Sequence, residues 1–305
     1  MALNVTTSDT GSVGYANPTV VDNALIIEVR ENVLAPFFAN MIDISGQQGI
    51  AHVFPILTTV PTVETPSNGS TEGAAMTTTT ALVVGNPTAT AAIKQSGVIQ
   101  SFITMAAGAV DWANEVPKAI GRSLANKMDV DFMTLLASFT NVAGTSGVDC
   151  SLDDLRYATV LHKKAALSGA ETSVFCLHPQ QWGDVDAQLI SGGGASLASM
   201  FARVDIADIY GGTPGRGMLS SMRGALWGIP CFSSANISAT STTDYNGALF
   251  TPKLAIGGVY KWLGRIESAS MGPGFFQAAQ AFYGTSCYGF VELNDAQGVS
   301  IITDY

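Results

Sequence analysis

Charge is scarce in this sequence. Only 12 % of its 305 residues are Asp, Glu, Lys or Arg, about half of the ~25 % that is usual in globular proteins. A compact globule of this size would expose about 12,000 Å². Its 14 basic and 24 acidic residues would then lie about one per 320 Å². Such a surface tends to associate, so the composition favours a protein covered by other subunits over a charge-poor secreted or outer-surface protein.

Basic clusters are also missing. The formal net charge is −10, and the densest basic pair is Lys163-Lys164. Binding of a phosphate backbone needs a basic stripe or patch. The sequence therefore argues against sequence-specific nucleic-acid binding, while it leaves room for nucleic acid that lies against a neutral or acidic wall.

Targeting and membrane-spanning patterns are not found. The first residues, MALNVTTSDTGS, have neither the basic nor the apolar region of a signal peptide. No run approaches the ~18 apolar residues of a membrane helix. The four cysteines, Cys150, Cys176, Cys231 and Cys287, form no C-x-x-C motif. Their small and apolar neighbours predict buried, reduced thiols and folding in a cytoplasm.

Motifs for catalysis or cofactor binding are not found either. His52, His162 and His178 are far apart, and none has another ligand at metal-binding spacing. The segments GGGAS and GGTPGRG lack the context of a phosphate-binding loop, and there is no G-x-S-x-G elbow. Asp153 and Asp154 are typical of a helix start. We predict no catalytic, cofactor-binding or metal-binding residues, and hence no enzyme.

One long segment, 111–139, has a sustained helical pattern. Its apolar residues recur at every fourth position: Trp112, Val116, Ile120, Leu124, Met128, Phe132 and Leu136. Such a row winds around the helix by about 40° per step, so the two ends can face different partners. Pro117 is best tolerated in a first turn, which predicts a helix from Pro117 to about Phe139. The simpler interpretation is an ordinary core helix.

The residues before this helix predict two extended segments. A small, polar N-terminal stretch is followed by a short helix from Asp22 to Val33, which Pro36 ends or restarts. Strand-like segments, GIAHVFPILT and AAIKQSGVIQSFITM, then flank about 30 residues rich in Thr, Ser, Gly and Pro. A structureless loop of that length is unusual. We therefore predict a two-stranded β-arm that projects from the body and lies on a neighbour.

The residues after the helix predict an α+β arrangement. Ser151 and Asp154 form a capping-box pattern that opens a helix ending near Gly169, and Pro179 opens a second helix. The further predictions are a buried strand at SVFCLH, a short helix at 197–209, one strand at 226–237, one or two strands within ALFTPKLAIGGVYKWLGRIESAS, a strand at CYGFVEL and a last strand at VSIITDY.

Taken in order, these parts resemble the major capsid proteins of tailed phages, whose Hong Kong 97 type fold is shared by encapsulin shells. The resemblance covers nearly the whole chain and rests on order and spacing, above all SVFCLHPQQW, LWGIPCFSSANI and ALFTPKLAIGGVYKW. It implies an N-terminal arm at 1–45, a β-arm (E-loop) at 46–104, a P-domain with a spine helix at 105–150, an A-domain at 151–262, P-domain return strands at 263–291 and a C-terminal A-domain strand at 292–305.

The resemblance also implies a function. The protein would self-assemble through pentamers and hexamers into an icosahedral shell that encloses phage double-stranded DNA. It would be located in the virion capsid after assembly in the host cytoplasm. Its partners would be itself, a separate scaffolding protein, a portal and decoration proteins, with no cofactor and no membrane. Because only about 45 residues precede the β-arm, a built-in scaffold is not expected, and nothing marks Lys94 for a covalent cross-link.

Two alternatives remain at this point. The first is an encapsulin-like compartment with a protein cargo, and the second is a soluble α+β enzyme or binding protein. The resemblance further implies that the first half of the long helix packs under the base of the β-arm. The second half would then pack against the strands of 263–291.

Overall fold

A computed structural model describes residues 6–8, 34–57, 84–101, 112–165, 172–191, 201–202, 222–237, 239, 244–271 and 279–304. Within these ranges the helices are α1 (Ala35–Phe38), α2 (Trp112–Thr134), α3 (Leu152–Ala165) and α4 (Pro179–Ser191). The strands are β1 (Thr6–Ser8), β2 (Asn40–Asp43), β3 (Ala51–Val53), β4 (Ile56–Leu57), β5 (Val84–Gly85), β6 (Thr88–Thr90), β7 (Ala92–Ser101), β8 (Val142–Ala143), β9 (Val174–Leu177), β10 (Phe201–Ala202), β11 (Met222–Leu226), β12 (Ile229–Ser233), β13 (Tyr245–Phe250), β14 (Ile256–Met271), β15 (Ala279–Glu292) and β16 (Gly298–Thr303). The predicted α+β class is confirmed.

The first sheet has five described strands in the order β1-β7-β15-β14-β2. Its centre is the long antiparallel pair β14–β15. β7 lies antiparallel to β15, while β1 and β2 add parallel edge strands. Along β15, Phe282, Gly284 and Ser286 are buried, and the residues between them are only half-buried. This alternation indicates that α2 covers one face of the sheet.

The second sheet has seven described strands in the order β10-β11-β12-β9-β13-β16-β8. Every residue of β9 is buried, because elements pack on both faces. On one face, Leu155 of α3 and Trp182 of α4 belong to a hydrophobic cluster with residues of β9, β12, β13 and β16. On the other face, Phe232 and Phe250 belong to the cluster that contains α1 and α2. The sequences of central strands that are covered on both faces are typically continuous apolar runs.

The long helix starts earlier than predicted. It begins at Trp112, so Pro117 is its sixth residue and lies inside it. Only the first four N–H groups of a helix lack an intrahelical acceptor, so proline at this position costs one backbone hydrogen bond. Starting the helix one turn earlier places Val116 beside Ile120 on the buried face, with 4 % and 1 % exposure. After Thr134 the chain continues as a 3₁₀ turn, Leu135–Ala137.

Both halves of α2 contact β15. Ile120 and Leu124 lie over Gly284, where an added Cβ would overlap Ile120. Further along, the rings of Phe132 and Phe290 lie 5.7 Å apart. The second half also packs on the seven-stranded sheet through Phe250, 6.1 Å from Phe132. The second half therefore packs on a strand of 263–291, as predicted. The first half also lies on β15, which the predicted division did not include.

The base of the predicted β-arm is two-stranded. β3 pairs antiparallel with β6, and β4 with β5, where Leu57 is opposite Val84. On the inner side, Phe54 and Ala89 join a small hydrophobic cluster on β14 and β15. Gly289 of β15 permits this approach, since an added Cβ would overlap the carbonyl of Thr90. The predicted pairing is confirmed at the base, and residues 58–83 lie outside the described part of the chain.

Local predictions for the second half of the chain had mixed outcomes. The capping box at the start of α3 is confirmed: Ser151 Oγ accepts a hydrogen bond from Asp154 N at 3.1 Å, and Asp154 Oδ2 accepts one from Ser151 N at 3.0 Å. The helix from Pro179 and the strands at SVFCLH and VSIITDY are also confirmed. The helix predicted at Asp22–Val33 lies outside the described residues.

The strand predicted at 226–237 is confirmed as β12, Ile229–Ser233. It pairs with β11 through a turn at Trp227 and Gly228, both with positive φ, and this hairpin was not predicted. One local prediction was wrong. Two residues of the helix predicted at 197–209, Phe201 and Ala202, form strand β10 and pair with β11. Strand pairing with β11 overrides the weak local helical pattern there.

Candidate assembly surfaces

The three histidines are held apart by the fold. His52 lies in β3 against the ring of Phe54, with centroids 5.0 Å apart. His178 lies between β9 and α4 and stacks on Tyr245 at 3.7 Å. His162 is buried in α3. Among the residues that the structure describes, no group of three or more His, Cys, Asp or Glu side chains could hold a metal ion.

His162 joins three elements of the seven-stranded unit. Its Nε2 lies 3.1 Å from Thr251 Oγ1 and 3.2 Å from the carbonyl oxygen of Gln297. Its Nδ1 lies 3.4 Å from Ser173 Oγ. Burial lowers the pKa of His162, which favours a neutral ring. That ring bridges the three segments that contain Ser173, Thr251 and Gln297. These buried contacts fit a packing role for His162.

The remaining motif residues are structural where they are described. Asp153 and Asp154 lie in the first turn of α3, as predicted. All four cysteines are buried thiols, and burial raises the pKa of Cys150 and of Cys231 to about 12. These thiols are inert rather than nucleophilic. The segments GGGAS and GGTPGRG lie outside the described residues.

One carboxylate ties α2 to the five-stranded sheet. Asp131 lies 2.7 Å from Lys127 Nζ and 3.3 Å from Lys94 Nζ, and it accepts a hydrogen bond from Tyr288 Oη at 3.1 Å. Burial acts to raise its pKa, but the hydrogen bonds from Lys127 and Lys94 outweigh this, so the pKa of Asp131 is lowered. The group lies in a cleft between α2 and β15. The two ion pairs and the hydrogen bond hold the helix on the sheet.

A second carboxylate ties α2 to the seven-stranded unit. Asp129 is 3 % exposed and accepts hydrogen bonds from Asn236 Nδ2 at 2.8 Å and Ser234 Oγ at 3.2 Å. Backbone hydrogen bonds from Leu34 and Ala35 also reach it, yet burial dominates and raises the pKa of Asp129. The sequence predicted no role for Asp129 or Asp131. A signal was present, because Asp129 lies on the same helix face as Ala125 and Met133, which are both apolar.

The base of the β-arm has an apolar outer face. Ile50, Val53 and Val84 are 55 %, 47 % and 49 % exposed, and Ile93, on the adjoining strand β7, is 61 % exposed. Between 46 and 104 the sequence has only three charged residues besides histidine: Glu64, Glu72 and Lys94. Exposed apolar groups gathered on one segment mark interaction sites.

The seven-stranded unit exposes apolar side chains at two separate places. Trp227, at the tip of the β11–β12 hairpin, is 38 % exposed. Tyr157 and Val160 are neighbours on the outer side of α3 and are 54 % and 57 % exposed. Val142 and Val148 lie at or after the edge strand β8, beside α3, and are 43 % and 52 % exposed.

The fold was compared with those of known proteins. No protein-family model and no curated protein matches the sequence. A solved chain from Mycobacterium phage Che8 matches with a TM-score of 0.63 and 18 % identity, over 88 % of this chain and 90 % of that one. The cyanophage Pam1 capsid asymmetric unit matches with a TM-score of 0.62 and 11 % identity, over 100 % of this chain and 98 % of that one. A virus-like particle from Pyrococcus furiosus matches with a TM-score of 0.55 and 12 % identity, over 93 % of this chain and 98 % of that one.

The chain therefore has the fold of phage capsid subunits, the Hong Kong 97 type that the sequence predicted. At these identities the likeness establishes the fold, and it extends over nearly the whole chain. Among the described helices, none is both long and apolar enough to cross a membrane.

Proposed function

We propose that this protein is a major capsid protein, which self-assembles into an icosahedral shell around phage double-stranded DNA. The observation that carries the proposal is the match to solved phage capsid structures over nearly the full length of both chains. The low charge density and the apolar outer face of the arm base support it. As a shell subunit the protein is structural rather than enzymatic, and its place is the virion capsid, assembled in the host cytoplasm.

Assembly rests on many moderate contacts. A stable protein interface buries ~1,600 Å², and arms increase contact area without enlarging the body. The β-arm supplies one such contact by laying its apolar outer face on a neighbour. Closed symmetry then makes each contact depend on the others, so pentamers and hexamers of one chain form the shell.

The proposed domains follow the two sheets. The five-stranded sheet with α2 is the P-domain, and the seven-stranded sheet with α3 and α4 is the A-domain. Since β7 and the start of β14 pair within the five-stranded sheet, we assign 92–101 and 256–262 to the P-domain. The arm then covers 46–91, with 1–45 as the N-terminal arm. Because strand β16 pairs with β13, we assign 298–303 to the A-domain.

The partners other than the shell itself are inferred from the same likeness to phage capsid proteins. A separate scaffolding protein and a portal would guide assembly, and decoration proteins would bind the outside. DNA would be enclosed without sequence-specific contacts, because the net charge is −10 and basic clusters are missing.

A protein-filled compartment is the second candidate. The match to the virus-like particle from Pyrococcus furiosus favours it, with 93 % of this chain covered. Nucleic acid content separates the two: particles purified from the native source should contain phage DNA if this is a capsid protein. Particles that contain a packaged protein and no DNA would support the compartment instead.

The decisive experiment is assembly of the purified protein. Size-exclusion chromatography and electron microscopy should show closed particles, with or without a co-expressed scaffolding protein. A stable monomer that forms no particles under any of these conditions would contradict the proposal.

The arm can be tested separately. Leu57 and Val84 are opposite each other in the β4–β5 pair, so a two-residue Asn-Gly turn can join them and replace 58–83. We expect a folded subunit that no longer forms shells, measured by circular dichroism and electron microscopy. Normal particles from this variant would refute the role given to the arm.

A further inference from the structure

The β11–β12 hairpin turns through an unfavourable residue. Leu226 and Ile229 are paired, so Trp227 and Gly228 form a two-residue turn, with φ of 53° and 79°. Positive φ at both positions is the type I′ pattern, for which Asn-Gly is strongly preferred. A bulky residue with positive φ is a true outlier, and such strain concentrates at functional positions. Trp227 therefore has a cost in the isolated subunit that an asparagine would not have.

The exposure of Trp227 adds to that cost. The side chain is 38 % exposed, whereas Trp182 of the same unit is 1 % exposed and donates a hydrogen bond to the carbonyl of Phe232. Tryptophan is among the residues that most often dominate binding energy when they enter a pocket on a partner. The tip of the hairpin is thus built to contact something outside the subunit.

The same unit has a second exposed apolar surface, on helix α3. Helix α3 packs over β16 and β8, while β12 is separated from β16 by β9 and β13. Three strand spacings amount to about 14 Å, so Trp227 does not contact α3 of its own chain. Tyr157 and Val160 form an exposed apolar ridge on α3.

The ridge is flanked by cations that suit an aromatic ring. Lys163 and Lys164 are exposed at the end of α3, and within the described residues neither has a carboxylate within 4.0 Å. Arg156 is 75 % exposed, with only a 3.9 Å contact to Asp153. A Lys or Arg cation over an indole face is favourable, and Trp is the best aromatic partner. The ridge therefore offers apolar contact and positive charge together.

We propose that Trp227 of one subunit docks on the Tyr157–Val160 ridge of a second copy of this chain. The two surfaces are different patches of one chain, so the contact is head-to-tail, and its repetition closes a ring when the rotation between neighbours closes. The inference rests on the proposed shell function and names one contact within it.

Replacing Trp227 by asparagine tests the contact with two readouts of opposite sign. Trp227→Asn should raise the melting temperature of the unassembled subunit, because Asn-Gly suits the turn. The same variant should raise the protein concentration needed for assembly by about tenfold or more. Loss of both stability and assembly would show that Trp227 is an ordinary structural residue. Unchanged assembly would overturn the proposal.

Cross-linking tests the partner surface. All four native cysteines are buried, and bridged Cα atoms must lie within ~7 Å of each other, so Trp227→Cys combined with Val160→Cys can bridge only between copies. Oxidation of the double variant, assembled at a protein concentration above its raised threshold, should give a ladder of dimers, trimers and larger covalent species, while each single variant gives none. Val142→Cys with Trp227→Cys serves as a matched control on the adjoining edge.

The outcomes separate this contact from the shell itself. Wild-type protein that forms particles, together with double-variant particles that give no covalent ladder, would refute the Trp227 contact and leave the capsid proposal standing. Wild-type protein without particles would overturn the capsid proposal, and this contact with it.

Discussion

The two sheets of this molecule are buried to different extents. In the seven-stranded sheet, β9 has no exposed residue, since helices cover both faces. In the five-stranded sheet, β7 exposes Ile93 at 61 %, since α2 covers one face only. One sheet is thus a complete core within a single chain. The other has surface left over, which a neighbouring subunit can cover.

This difference separates stability from assembly. Substitutions inside the seven-stranded unit should unfold the subunit, and substitutions on the outer strands should change what the subunit binds. The connection between the two sheets is α2, through Asp131 on one side and Asp129 on the other.

The largest effect is expected at Trp182. Trp182→Ala leaves a cavity against β12 and removes the hydrogen bond to Phe232, so it should lower the free energy of unfolding by about 3–5 kcal/mol. Trp262→Ala in the five-stranded sheet is the control, since Trp262 is only half-buried. Chemical denaturation measures the loss of unfolding free energy in each of the two variants. Equal losses would contradict the contrast between the sheets.

A smaller loss is expected at Gly289. In Gly289→Ala the new methyl group overlaps the Thr90 carbonyl, so β6 must move off β15, at a cost of about 1–3 kcal/mol. Gly183→Ala is the matched control. Nothing lies within 4 Å of its added Cβ, and alanine favours the helix α4 by up to ~1 kcal/mol. Thermal unfolding should therefore move in opposite directions for the two variants.

The two carboxylates of α2 should give opposite pH dependences. The pKa of Asp131 is lowered in the folded protein, so its contribution to stability is present above the unfolded value of 3.8 and is lost as pH falls through the folded pKa. The stability difference between wild type and Asp131→Asn should therefore shrink on acidification. A difference that stays constant with pH would show that Lys94 and Lys127 do not hold the carboxylate.

For Asp129 the contribution to stability should change with pH in the opposite direction. Its pKa is raised in the folded protein, so its contribution is fully present below 3.8 and is lost as pH rises through the folded pKa. Compared with Asp129→Asn, wild type should lose stability between pH 3.8 and that higher value. Urea denaturation across this range measures the slope, and a slope of the same sign as for Asp131 would contradict the assignment.

The smallest effect on stability is expected at Val53. Val53→Thr keeps the β-branched shape on the outer face of the arm base, so the free energy of unfolding should change by less than about 0.5 kcal/mol. Shell formation should still weaken, because the apolar contact becomes polar. Thr88→Val on the paired strand is the reciprocal control and should leave assembly intact. Light scattering would record the extent of shell formation for both variants.

The sequence predicted elements whose signals are local. The capping pair Ser151 and Asp154, the proline that opens α4 and the apolar run SVFCLH each determine structure within a few residues. The start of α2 was misplaced because Pro117 was given its usual first-turn position, whereas burial of Val116 against the sheet outweighs one lost hydrogen bond.

The contacts between distant segments could not be predicted in the same way. Asp131 pairs with Lys94 and Tyr288, and Asp129 pairs with Asn236, all far away in sequence. The tight turn at Trp227 was missed because its residue type argues against positive φ. Those positions depend on tertiary packing, which a local pattern does not contain.

Phe38 has a mechanical consequence. Its ring lies 6.3 Å from Phe132 of α2, 5.0 Å from Phe232 and 5.7 Å from Phe250, and its carbonyl accepts a hydrogen bond from Lys253 N at 2.6 Å. A pull on the chain that precedes residue 34 therefore reaches α2 and the seven-stranded sheet together. Tension on Phe38 would load several buried contacts in parallel, so this part of the subunit would resist tension as a block and would not separate strand by strand.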